Sequence, residues 1–122
     1  MVMGFQVAIT ITDEKVGNLL CSALEGGSNY WYDIVDFINP NNVKCEFKHL
    51  ELPFMDGCGL MIQDDEGDEE PKLLNREAMQ RGLEIMQRDY ANHFQDFLDE
   101  NDDGSTADVF LQCCLFGEAI YG

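Results

Sequence analysis

Carboxylates are the residues numerous and closely spaced enough in this sequence to do chemistry. The stretch "DENDDGSTADVF", Asp99 to Phe110, puts Asp99, Asn101 and Asp103 on ligand positions 1, 3 and 5 of a calcium loop, with Gly104 at the sharp turn, position 6. The far half of the loop fails. An apolar residue is wanted at position 8 and a bidentate Glu at position 12, and those positions hold Thr106 and Phe110. Without the bidentate ligand, two oxygens are lost to a cation that takes six to eight. The same residues read as a polar turn from Asn101 to Gly104. Thr106 then caps a helix, and Asp108 sits in its first turn, where the dipole favours an anion. Neither metal nor cofactor is expected.

A second candidate is "EGGSNYWY", Glu25 to Tyr32. Glycines ahead of a helix N-terminus expose N–H groups to a phosphate, and the aromatics offer stacking surface. The spacing predicts a helix capped by Ser28 or Asn29 and running to Phe37. Tyr30, Trp31, Ile34, Phe37 and Ile38 share its broad apolar face, and Tyr32 lies opposite, exposed, with Asp33 and Asp36. Those carboxylates repel anions, so an exposed Tyr32 suits protein contact better than phosphate. A small-molecule or nucleotide site between Gly26 and Trp31 stands as the alternative.

Catalytic signatures are absent. With 24 Asp and Glu in the chain, some close carboxylate pairs are expected in any fold. The five cysteines and two histidines, His49 and His93, show no nucleophile pattern, and no CxxC pair suggests zinc. The expectation is a protein that is not an enzyme.

The acids themselves are grouped. One cluster contains Asp64, Asp65, Glu66, Asp68, Glu69 and Glu70, and a second contains Asp96, Asp99, Glu100, Asp102, Asp103 and Asp108; neither contains a base. A sparser group is Asp33, Asp36 and Glu25. The formal charge is −17, with 7 Lys and Arg. Such a field repels nucleic acid and anionic membranes and attracts basic protein surfaces. Carboxylates arrayed on a folded surface can occupy a basic groove in place of a nucleic-acid backbone.

The chain of 122 residues, 45% hydrophobic, is expected to form one domain over residues 1–122 with a real core. No signal peptide or membrane span is read, and five unpaired cysteines suit a reducing cytoplasm. Alternation predicts strands over Phe5–Ile11 and Val43–Leu50, and a hairpin from "CGLMIQD" to Lys72–Leu74. Helices are predicted over Asp13–Leu24 with Thr12 as cap, from a cap at Asn75 through Tyr90, over His93–Asp99, and over Ala107–Phe116. The last is apolar nearly all round, which means central burial or a dimer interface. The class is α+β: a small, mostly antiparallel sheet of about four strands with four or five helices packed on it.

Two stretches, "LLCSALEGGSNYWYDIV" and "DVFLQCCLFGEAIYG", with the "NREAMQRGLEIM" helix between them, carry a resemblance across most of the chain. The sequence resembles a widespread group of small, mostly uncharacterised accessory proteins of tailed phages and prophages. The resemblance implies a non-structural protein made inside an infected bacterium. Small acidic phage proteins of that setting include inhibitors of restriction enzymes and CRISPR effectors. The expectation is an acidic, nucleic-acid-mimicking inhibitor in the host cytoplasm that binds a basic nuclease or CRISPR surface. Its contacts would be Asp64, Asp65, Glu66, Asp68, Glu69 and Glu70, with Asp99, Glu100, Asp102 and Asp103, and Tyr32 as an anchor beside Asp33 and Asp36.

Overall fold

Thr12 and Asn75 are good N-cap residues, and both act as caps. Thr12 Oγ1 accepts from the Lys15 N–H at 3.2 Å and opens α1, Asp13–Ser22. Asn75 Oδ1 accepts from the Ala78 N–H at 2.9 Å and opens α3, Arg76–Asp89. These come from a computed structural model that describes residues 4, 5, 7–67 and 70–122. After α1 a π-helical turn, Ala23–Gly27, leads to β1, Tyr32–Ile38. A short α2, Lys48–Glu51, and a 3-10 turn, Leu52–Phe54, precede β2, Gly59–Asp64, and β3, Lys72–Leu74. Beyond α3 come α4, Ala91–Leu98, and α5, Gly104–Phe116.

The class is α+β: among the described residues there are five α-helices and a three-stranded antiparallel sheet in the order β1-β2-β3. Leu60, Ile62 and Leu74 point from one face of the sheet into the core, where they join Leu19, Leu20, Met86, Phe97, Phe110 and Leu111. A core shared by every layer of the fold is what apolar burial at this chain length requires.

Helix α5 lies at the centre. Its residues from Thr106 to Leu115 are buried except Val109. Gly82 of α3 lets it approach, because a Cβ there would lie 2.4 Å from Cys114 Sγ. The near-uniform hydrophobicity of this helix thus comes from burial within its own chain; the face assigned to a dimer is occupied. Asp103 Oδ1, accepting from the Thr106 N–H at 3.0 Å, caps it, so the cap falls three residues earlier than Thr106. Gly117, at φ 77°, closes the helix in the left-handed region.

Three expected elements differ. The segment predicted as a helix to Phe37 is β1, paired with β2 from Tyr32↔Asp64 to Ile38↔Gly59 with a bulge between Ile34 and Asp36. Its Ile34, Val35 and Ile38 are β-branched, and the ladder overrides a helical spacing. Phe5–Ile11 joins no sheet among the described residues. Val43–Leu50 is a loop and a helical turn. There the Asn39 side chain bridges the Val43 N–H and carbonyl at 3.0 and 2.9 Å, and Glu51 accepts from the Phe47 N–H at 2.6 Å. Side chains satisfying backbone groups locally compete with a strand ladder.

The tightest approach in the fold joins the π-helical turn to the start of α5: a Cβ on Gly27 would lie 2.1 Å from the Gly104 carbonyl oxygen. Backbone cannot yield as a flexible side chain does. Gly27→Ala should therefore lower unfolding free energy by about 2 kcal/mol or more in urea titration, while Gly26→Ala, with nothing within 4 Å, should stay within about 1 kcal/mol.

Candidate functional site: an acidic strand on an open sheet face

The segment Ser28–Trp31, which leads into β1, is fixed by a single carboxylate. Asp108 is buried on α5. Its Oδ1 accepts from Ser28 Oγ at 2.8 Å and Trp31 Nε1 at 2.7 Å, and its Oδ2 accepts from the Tyr30 hydroxyl at 2.6 Å. Burial and then the Asp108 carboxylate push the Tyr30 phenol up to about 12. The Trp31 ring stacks on Tyr121 at 5.3 Å, and the Tyr121 hydroxyl donates to Asp64 Oδ2 at 2.8 Å. The buried Gln112 side chain accepts from the Ile120 and Tyr121 N–H groups at 2.7 and 2.8 Å, which holds the chain after α5 against this cluster.

This arrangement leaves no room for a phosphate cradle, the alternative reading of the segment. The helix whose N-terminus would have held the anion is not formed. Gly27 packs on Gly104, and Ser28 and Trp31 are buried with their polar atoms bound. Tyr32 is also corrected. It is half-buried, its ring is edge-on to Trp31 at 6.0 Å, and its hydroxyl donates to the Leu24 carbonyl, so it anchors β1 to the body of its own chain.

The acids divide by environment. Asp64 is 3% exposed and accepts from Gln63 Nε2 and the Tyr121 hydroxyl, so it is an interior acceptor and not a contacting acid. Asp103 is occupied as the cap of α5, and Thr106 and its neighbours hold its carboxyl below the usual range. Asp99 accepts from Gln95 at 3.0 Å, Glu100 sits at φ 60°, and both are exposed, whereas Asp102 is partly so. Asp33, Asp36, Asp65, Glu66 and Glu70 are exposed. Asp68 and Glu69 lie outside the described residues.

Register places the exposed acids of β1. Asp33 pairs with Gln63 and Asp36 with Met61, and Met61 pairs in turn with Leu73. These alternate with the buried Leu60, Ile62 and Asp64, so they occupy the face turned away from the core. Half-exposed Met61 and exposed Leu73 and Val35 lie among the carboxylates, whereas Phe37, paired with buried Leu60, is on the other side of the strand. Beside them a groove of about 620 Å³ runs between the Met55–Cys58 turn and α3, lined by Ile38 and Leu73 with Arg76 and Arg81. Arg76 is bound to Asp13 by two hydrogen bonds, 2.8 and 2.7 Å. Apolar centre and charged rim are the anatomy of a protein-binding surface.

Two of these carboxyls meet. Desolvation and then the nearby Asp33 carboxyl raise Asp65 above the ordinary carboxylate value. Among the described residues neither is in an ion pair, the ion pairs there being His49–Glu25, Arg76–Asp13 and Arg88–Asp89.

Nothing in the described residues assembles a nucleophile. Glu25 stands between Cys21 and His49, pairing with His49 at 2.9 Å, and burial and Glu25 raise the Cys21 thiol. Burial pushes Cys113 up to about 12 and Cys114 well above its usual value. No group of three His, Cys, Asp or Glu among the described residues has metal-holding geometry.

Two measurements check this account. Asp108→Ala leaves two buried donors and a cavity, and should cost about 3–5 kcal/mol, against about 1–3 for Asp108→Asn. Asp108→Asn should also lower the Tyr30 phenol, read by ultraviolet pH titration. At the surface, Asp65 binds its proton at higher pH folded than unfolded, so its contribution to stability falls as pH rises through the folded value. Asp33→Asn should return Asp65 toward the ordinary carboxylate range in a carboxyl-carbon NMR titration, and should flatten that decline.

The chain has no significant match to any protein-family model, curated protein or solved structure.

Proposed function

We propose that this chain is an acidic inhibitor that binds the nucleic-acid-binding surface of a bacterial defence nuclease or CRISPR complex. The contact is the outer face of the sheet and the acids around it. Asp33, Asp36, Asp65, Glu66 and Glu70 supply the charge, with Asp99, Glu100 and Asp102 as a second acidic patch, and Val35, Met61 and Leu73 supply apolar area. The observation that carries this reading is the exposure of Asp33, Asp36, Asp65 and Glu66 on and beside the outer face of the sheet, none of them in an ion pair among the described residues. Carboxyls held this way keep a local negative potential that an incoming lysine or arginine relieves. The formal charge of −17 speeds encounter with such a partner and disfavours direct contact with nucleic acid. The resemblance to phage and prophage accessory proteins supports the bacterial setting.

The test begins with affinity capture from nuclease-treated bacterial lysate over a salt series, followed by purification of the retained basic protein. Its complex with a labelled duplex is then challenged with this chain. Displacement of the duplex is expected at low salt, fading as salt rises. The variant Asp33→Asn/Asp36→Asn/Asp65→Asn/Glu66→Gln should bind about tenfold more weakly or worse, with a flatter salt dependence and an unchanged circular-dichroism spectrum. Undiminished displacement by that variant would sink the assignment of this face.

A further inference from the structure

Residues 1–12 carry no charge, in a chain where charged residues are 25% of the total. Phe5, Val7, Ile9 and Ile11 alternate along this stretch, the period of a strand with one buried face. None of the described residues of the stretch joins a helix or a sheet. Phe5 is 102% exposed, Val7 79% and Ile9 51%, and Ile11 packs against the core beside α3. The described residues of the stretch form an apolar arm outside the sheet.

The same molecule has a sheet with an open edge. Only β2 pairs with the seven-residue β1, and among the described residues no other backbone bonds along its outer side. Val35, at the bulge, is 53% exposed and Phe37 43%. A strand-type segment without a ladder and a ladder without an outer strand are complementary halves of one interaction.

We propose that the arm of one copy adds as a strand to the free edge of β1 in a second copy, reciprocally, making a two-fold dimer. The lengths agree: the alternating stretch Phe5–Ile11 has seven residues, as has β1. Charge selects this occupant over the other symmetric choice. Two β1 edges pairing directly would bring Asp33 and Asp36 of each copy against carboxylates of the other, which is destabilising. The arm meets the same edge with no like charge. Reciprocal addition also closes the assembly, since each copy gives one strand and receives one.

The proposal is independent of the basic-partner reading, and its salt response has the opposite sign. Apolar and backbone contacts hold the two strongly negative bodies, so the dimer tightens as salt screens their repulsion, whereas a complex with a basic protein loosens. Sedimentation velocity across micromolar concentrations, at low and high salt, reads the equilibrium. The dimer fraction should rise with both. Phe5→Ser/Val7→Ser alters side chains that are exposed in the monomer, so it should keep the monomer's melting curve and weaken association by roughly tenfold or more. Hydrogen exchange of the wild type under dimerising conditions should show added protection at Tyr32–Ile38 that the double variant lacks. A monomer at every salt overturns the proposal. So does a dimer that survives in the double variant, or one that adds no protection to β1.

Discussion

The Asp108 carboxylate is the constraint on which the rest of the candidate site depends. A carboxylate removed from water is costly unless hydrogen bonds replace its hydration. Here a stretch of four residues supplies the replacement: Ser28, Tyr30 and Trp31 all donate to it. Satisfying the charge therefore fixes where the chain runs between the π-helical turn and β1. It also sets the indole plane on which Tyr121 stacks, and through Tyr121 the network reaches Asp64 at the end of β2. The acidic strand is held at its entry by one buried acid and beside its first residue by another.

This divides one residue type into two populations. Asp64, Asp103 and Asp108 are acceptors within the architecture, each bound to donors of its own chain. Asp33, Asp36, Asp65 and Glu66 face solvent, and one pair of them crowds together. Net charge does not separate these populations; donor count and burial do. A surface that keeps unpaired carboxyls next to exposed Val35 departs from the arrangement that would best stabilise the isolated monomer, as binding surfaces commonly do.

Local chemistry made part of this legible. Thr12 and Asn75 were readable as caps, and "CGLMIQD" with Lys72–Leu74 was readable as a hairpin, because those signals act within a few residues. The failures are tertiary. Tyr32–Ile38 fits a helical stripe as well as a strand, and its pairing with β2, some thirty positions on, decided the outcome. The high density of β-branched residues was the signal to weigh. Phe5–Ile11 has a strand's pattern but no described strand beside it, and pattern alone does not supply a partner. Asp64 and Asp108 read as surface acids because their donors, Tyr121, Ser28, Tyr30 and Trp31, are distant in sequence. Of the candidate site, the acids of β1 and of the turn after β2 were visible in the sequence; the meeting of Asp33 with Asp65 was not.

The long reach of the Asp108 network has a consequence for how the chain matures. Ser28 and its acceptor are 80 residues apart, so the donors leave the ribosome well before the carboxylate that will bind them has been made. At about 5–20 residues per second, that interval is roughly 4–16 s. Throughout it, α1 has no α5 to cover its apolar stripe, and the glycine–aromatic segment has no fixed course. The nascent chain thus waits with Leu19, Leu20 and Trp31 uncovered until α5 arrives. The core closes only once Asp108 has been made, and the period of greatest exposure to chaperones and proteases is set by the length of the chain between Ser28 and Asp108.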